Sequence, residues 1–138
     1  MAQMNAEDFI QKQLEEIKTQ RRLLGESHPD IANSMNALAL YFHHVIRNHE
    51  EALNFHTQAL TILQAQPDNT HDVEMAVTIV DIGNVYRILG STEAAISKYT
   101  EALRIFQANR IPETHPAVGA ASRGMRLLQR TNNSTNFL

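Results

Sequence analysis

The chain has 138 residues, 43% of them hydrophobic, and a formal net charge of −3. This length suits one domain with a buried core. The absence of cysteine excludes disulfides and thiolate metal sites. The weakly acidic net charge gives no sign of nucleic-acid binding. No apolar run reaches the ~20 residues of a membrane span and the first residues lack a secretory signal, so a cytoplasmic protein is expected.

Apolar residues that recur at steps of three, four and seven predict six helices along the chain. Their approximate bounds are 5–24, 28–45, 50–65, 71–89, 92–108 and 115–130. Pro67 and Pro112 follow the third and fifth helices and end them, and Gly90 separates the fourth helix from the fifth. Residues 131–138 are predicted to be a disordered polar tail, which leaves residues 1–130 as one helical-repeat domain.

The predicted helices repeat along the chain. Similar triplets precede the second, fourth and sixth helices, at spacings of 43 and 44 residues: Ser27-His28-Pro29, Thr70-His71-Asp72 and Thr114-His115-Pro116. Ser27, Thr70 and Thr114 are expected to cap these helices through their side-chain oxygens. Each triplet thus marks the point where a new helix pair begins.

Small residues recur at matched positions within these pairs. Ala39 and Gly83 lie in the first helix of each pair, and alanines follow in the second helix: Ala52, Ala59, Ala95 and Ala102. Small residues between large ones let helices approach closely, so we expect Gly83 to be a packing residue. The sequence therefore predicts an all-α solenoid of stacked antiparallel helix pairs.

One motif carries a family resemblance. Ile79-x-x-Ile82-Gly83-x-x-Tyr86, followed by Ala95-x-x-x-Tyr99 and Ala102, resembles the tetratricopeptide repeat, and Met35-x-x-Leu38-Ala39-x-x-Phe42 is a looser copy. Residues 23–32 are similar to the junction between the longer repeats of kinesin-light-chain type. The resemblance covers residues 7–130 as two full repeats with a half-repeat on each side: residues 5–24 match only a second helix, and residues 115–130 match only a first helix.

The seven histidines raise the alternative of a metal site. Three lie one repeat apart, where they cannot converge on one ion: His28, His71 and His115. Four lie closer together, without an HExxH motif or a Cys/His pairing: His43, His44, His49 and His56. Adjacent carboxylates such as Glu15 and Glu16 splay apart on a helix, and no hydrolase or nucleotide-binding motif occurs. We therefore expect a non-catalytic protein without a cofactor or metal.

The resemblance implies a scaffold or adaptor whose concave groove binds an extended peptide or protein segment. The groove residues are expected on the first helices, opposite the core: Asn33, Asn36, Leu40, His43, Val80, Asn84, Arg87, Arg123 and Arg130. Asparagine amides can hydrogen-bond a peptide main chain, and arginine suits carboxylates. Because no acid follows Glu113, an acidic peptide held near the C-terminal end of the groove is the expected ligand.

Self-assembly is the alternative to peptide binding. About three repeats are normally needed for independent stability, and this chain has two full repeats with open ends. In the peptide-binding interpretation the half-repeats act as caps, or the chain is part of a longer array. In the alternative, a short structural repeat protein associates through its exposed ends, at Phe9 and Ile10 or at Leu127 and Leu128.

Overall fold

The structure is a computed structural model that describes the backbone of residues 5–135 and the side chains of residues 5–131. Six α-helices occur in this part: α1 (Ala6–Leu24), α2 (Pro29–Tyr41), α3 (His49–Gln64), α4 (Asp72–Ile88), α5 (Thr92–Ala108) and α6 (Pro116–Thr135). A π-helical turn follows α2 (Phe42–Ile46), and a 3-10 turn follows α3 (Pro67–Asn69). No strand occurs between residues 5 and 135, and the predicted all-α class of paired helices is confirmed.

Helix α6 extends beyond its expected end near residue 130 and reaches Thr135. Residues 136–138 of the predicted tail lie outside the described residues. The division of the chain into a repeat domain and a disordered tail therefore stays a prediction.

Asparagine caps start two of the helices. The Asn5 side chain accepts a hydrogen bond from the Asp8 N–H at 2.8 Å, and Asn48 does the same for Glu51 at 3.1 Å. Each cap satisfies one of the N–H groups that a helix start leaves without an intrahelical partner. The asparagines therefore fix the first residues of α1 and α3.

The caps at the repeat junctions differ from the expectation, because the helices begin one residue later than predicted. His28 is the cap of α2, and its Nδ1 accepts from the Asp30 N–H at 3.1 Å. His115 Nδ1 accepts from the Ala117 N–H in the same way, also at 3.1 Å. Thr70 donates to the Pro67 carbonyl instead of capping α4. The prediction of Ser27 and Thr70 as caps is therefore wrong, since each lies one position before the cap.

The chain folds as two compact units, one ending at Thr70 and the other beginning at His71. In the first unit, α2 packs against α1 and α3. The buried residues of this unit are mostly aliphatic: Ile17, Ile31, Ala32, Met35, Leu38, Ala39, Ala52, Ala59, Leu60 and Leu63. Burying aliphatic side chains of this size is the main favourable contribution to folding.

In the second unit, α4 packs against α5, and α6 packs against both. Tyr99 lies fully buried where the three helices meet. A Cβ atom added to Gly83 would lie 2.9 Å from Tyr99 Cε1, and one added to Gly124 would lie 2.5 Å from Tyr99 Cζ. These separations are shorter than a carbon–carbon contact allows. The prediction that Gly83 is a packing residue is confirmed, and Gly124 has the same role on α6.

Candidate functional site

The nine predicted groove residues differ in exposure. Asn33, Leu40, Arg123 and Arg130 are exposed, whereas Asn36, Asn84 and Arg87 are partly buried. Val80 and His43 are buried, with 1% and 8% of their surfaces accessible. Val80 belongs to the core, as expected for an aliphatic side chain on a well-packed helix, and we leave it out of the binding surface. His43 is also withdrawn from solvent and contacts other histidines.

Asn84 and Arg87 bind the Tyr99 hydroxyl within the second unit. Tyr99 donates to Asn84 Oδ1 at 2.5 Å and accepts from Arg87 Nε at 3.2 Å. Burial raises the pKa of the Tyr99 phenol, although the hydrogen bond and charge of Arg87 act in the opposite direction. A buried hydroxyl needs such partners, so these two residues also hold α4 and α5 together.

Asn36 has the corresponding role in the first unit. His56 is fully buried on α3, and its Nδ1 lies 2.8 Å from Asn36 Oδ1 on α2. Burial, followed by the charges of His43 and His44, lowers the pKa of His56 to about 4. Asn36 and Asn84 thus each use the amide oxygen to join the two helices of a pair.

Three of the four histidines that lie close together in the sequence also lie close together in space, around the π-helical turn. His43 Nδ1 and His49 Nδ1 lie 2.9 Å apart, and the His43 and His44 ring centroids lie 4.5 Å apart. Two facing ring nitrogens at this distance share one proton, so one acts as donor and the other as acceptor. Among the described residues, no group of three or more histidine, cysteine, aspartate or glutamate side chains is placed to hold a metal ion.

Asp81 is an ionisable residue that the sequence analysis missed. It lies on α4, three positions before Asn84, and burial raises its pKa to about 7. Its charge also favours the protonated form of the Tyr99 phenol. An aspartate within an apolar helical pattern gives no sign of burial, because exposure depends on the neighbouring helices.

The structure brings arginines together on α6. Arg123, Arg126, Leu127 and Arg130 line a surface cavity of about 230 Å³. The three arginines are exposed and Leu127 has 48% of its surface accessible. No acidic residue occurs in the α6 sequence. We call these four residues the arginine face. It contains two of the three predicted arginines, and it adds Arg126, while Arg87 is bound to Tyr99.

No described helix is long and apolar enough to cross a membrane. The tetratricopeptide repeat family matches the sequence over residues 6–65 and, in an overlapping second match, over residues 47–108. The first match covers α1 to α3 and the second covers α3 to α5. Comparison with curated proteins gives no match.

Proposed function

Because the chain belongs to the tetratricopeptide repeat family, whose repeats generally mediate protein–protein interactions, we propose that it is a non-catalytic scaffold that binds an acidic segment of another protein. The arginine face is the observation that supports this proposal. Three guanidinium groups on one side of α6 have no carboxylate on their own helix to neutralise them.

The chemistry of the arginine face suits a peptide with carboxylates around an apolar residue. A guanidinium group can donate two parallel hydrogen bonds to one carboxylate, which a lysine cannot. Leu127 lies among the arginines and offers apolar surface to the same ligand. Single exposed ion pairs contribute only about 0–1 kcal/mol, so we expect useful affinity only when two or three arginines act together.

We extend the proposal to the predicted groove residues that remain at least partly accessible on α2 and α4: Asn33, Asn36, Leu40, Asn84 and Arg87. The oxygens of Asn36 and Asn84 already accept or share hydrogen bonds with His56 and Tyr99. The amide N–H groups of Asn84 are therefore the groups that would bind carbonyl oxygens of a peptide main chain.

A binding experiment tests the arginine face. Two short labelled peptides of equal length, one rich in glutamate and leucine and the other rich in lysine and leucine, are titrated with the protein and followed by fluorescence anisotropy. We expect the acidic peptide to bind more tightly, and the Arg123→Ala/Arg126→Ala/Arg130→Ala variant to bind it about tenfold more weakly, which corresponds to ~1.4 kcal/mol. High salt should reduce the preference because it screens exposed charges.

The matched control removes two exposed arginines elsewhere in the second unit, with Arg104→Ala/Arg110→Ala. This variant loses two positive charges, against three in the triple variant, but keeps the arginine face, so it should bind the acidic peptide nearly as the wild type does. Equal affinity of the wild type for both peptides would contradict the proposal. So would equal affinity of the wild type and the triple variant for the acidic peptide.

A further inference from the structure

We propose that the arginine face binds helix α1 of a second copy of this chain, so that the two half-repeats join as one composite helix pair. This inference rests on the proposed function, because it names an occupant for the same surface. It makes self-association the specific form of protein binding.

The arginine face occupies the side of α6 that a pairing helix would cover. Aligning α6 with α2 on their cap histidines places Arg123 at the position of Asn36 and Arg130 at the position of His43. In the first unit both of these positions contact α3: Asn36 bonds to His56, and His43 meets His49. The opposite side of α6 is already covered, since Gly124 lies against Tyr99 of α5. Among the side chains that the structure describes, α6 therefore has one packed side and one open side.

Helix α1 carries the matching position on its own uncovered side. Aligning α1 with α3 on the junction histidines that follow them places Gln13 at the position of His56 and Glu16 at the position of Ala59. Ala59 is fully buried, whereas Glu16 is exposed. A carboxylate thus stands where a complete pair buries a methyl group. An arginine of the pairing helix would give this carboxylate a partner.

The charges of the two helices are complementary in the antiparallel arrangement of a pair. In the first unit His43, at the end of the first helix, meets His49, at the start of the second. By the same geometry residues 123–130 of α6, which include its three arginines, would lie beside the first turns of α1. The first eleven residues of α1 carry four exposed carboxylates and one lysine: Glu7, Asp8, Glu15, Glu16 and Lys12. Complementary charge sets both the partner and its orientation.

The apolar ends predicted from the sequence are less suitable for this contact. The Phe9 ring packs on Tyr41 of α2 with a centroid distance of 4.2 Å, and Leu128 has only 5% of its surface accessible. Only Leu127 of the expected α6 pair remains at the surface. A contact between α6 of one copy and α1 of the next is heterologous, so each added copy offers the same two helices again. We therefore expect head-to-tail association that increases with protein concentration.

Sedimentation velocity over a wide concentration range tests this inference with the full chain. At low ionic strength the weight-average sedimentation coefficient of the wild type should rise with concentration. In 1 M salt, where the screening length is about 3 Å, this rise should be lost. Arg123→Glu/Arg126→Glu and Glu16→Arg should each weaken the association by about tenfold or more, because each places like charges together. An equimolar mixture of these two variants should associate again, since their reversed charges match.

The controls reverse charges of the same sign away from the two helix faces, with Arg104→Glu and Glu113→Arg, and should associate as the wild type does. Circular dichroism confirms that each variant is folded before it is compared. A wild type that stays monomeric at every concentration overturns the inference, and so does a mixture that fails to associate. If the wild type stays monomeric but binds the acidic peptide, the self-association inference fails and the proposed function stands. If the wild type neither associates nor binds the acidic peptide, both are rejected.

Discussion

At the scale of single residues, the closest packing surrounds Tyr99. Its ring faces Gly83 on one side and Gly124 on the other, and its hydroxyl bonds to Asn84 and Arg87. One side chain therefore sets the separation of α4, α5 and α6. Gly119 lies on the same helix as Gly124 but is not packed against a rigid ring. A Cβ atom added to Gly119 would meet only the end of the Arg123 side chain, at 3.1 Å.

Gly124→Ala should destabilise the second unit, because the new methyl group would force the rigid Tyr99 ring to move. We expect a loss of about 1–3 kcal/mol in the free energy of unfolding, typical of an overpacked core. Gly119→Ala is the matched control, and it should be neutral or stabilise by up to about 1 kcal/mol, since alanine is the better helix former. Urea unfolding followed by circular dichroism measures both. Equal stability of the two variants would show that the contact with Tyr99 is not constraining.

At the scale of helices, the junction caps depend on where each helix begins. The His28 imidazole caps α2 by accepting a hydrogen bond from the N–H group two residues further along the chain. The same arrangement recurs at His115. Serine and threonine are the commoner caps, so the sequence favoured Ser27, Thr70 and Thr114. A shift of one residue in the helix start was enough to make that prediction wrong for α2 and α4.

His28→Ala should cost about 1 kcal/mol in the free energy of unfolding, because the Asp30 N–H loses its acceptor. Ser27→Ala removes the neighbouring hydroxyl without touching the cap and should change stability by less than about 0.5 kcal/mol. His28→Asn should restore most of the loss, since asparagine is a good cap. The reverse order, with Ser27→Ala the more damaging change, would place the cap at Ser27.

At the scale of the whole molecule, the buried His56 and the partly buried Asp81 give opposite pH dependence. The pKa of His56 is about 4 in the folded chain and 6.5 in the unfolded chain. Between these pH values the unfolded chain therefore binds a proton at His56 that the folded chain does not bind. Its contribution to the free energy of unfolding is therefore lost as the pH falls from 6.5 to 4, by up to about 3 kcal/mol. The pKa of Asp81 is about 7 against 3.8, so its contribution is lost as the pH rises through that interval.

Denaturant unfolding between pH 4 and 7.5 separates the two effects. His56→Gln keeps a hydrogen-bonding side chain beside Asn36 but cannot titrate, so its stability should fall less than that of the wild type on acidification. The Asp81→Asn variant also lacks a titrating group, so its free energy of unfolding should fall less than that of the wild type as the pH rises. Parallel pH profiles for the wild type and both variants would mean that neither side chain is shielded from water as the structure indicates.

The helices and the core positions followed from the sequence because their periodic pattern records which side of each helix is buried. Gly83 stood out for the same reason, since a glycine inside a helix usually marks a close approach. The hydrogen bond between Asn36 and His56 joins two helices and could not be inferred, because the pattern gives the face of a residue but not its partner. The burial of Val80 and the partial burial of Asp81 have the same explanation, since both lie on a helix whose accessible side is set by its neighbours.

The position of Tyr99 has an optical consequence. The chain contains no tryptophan, so its near-ultraviolet absorbance comes mainly from three tyrosines, of which Tyr41 and Tyr86 are partly accessible. The Tyr99 side chain is fully buried, and burial raises the pKa of its phenol. Tyrosinate absorbance during an alkaline titration therefore contains one late component from Tyr99. That component is an intrinsic reporter of the junction between α4, α5 and α6, and it needs no attached dye.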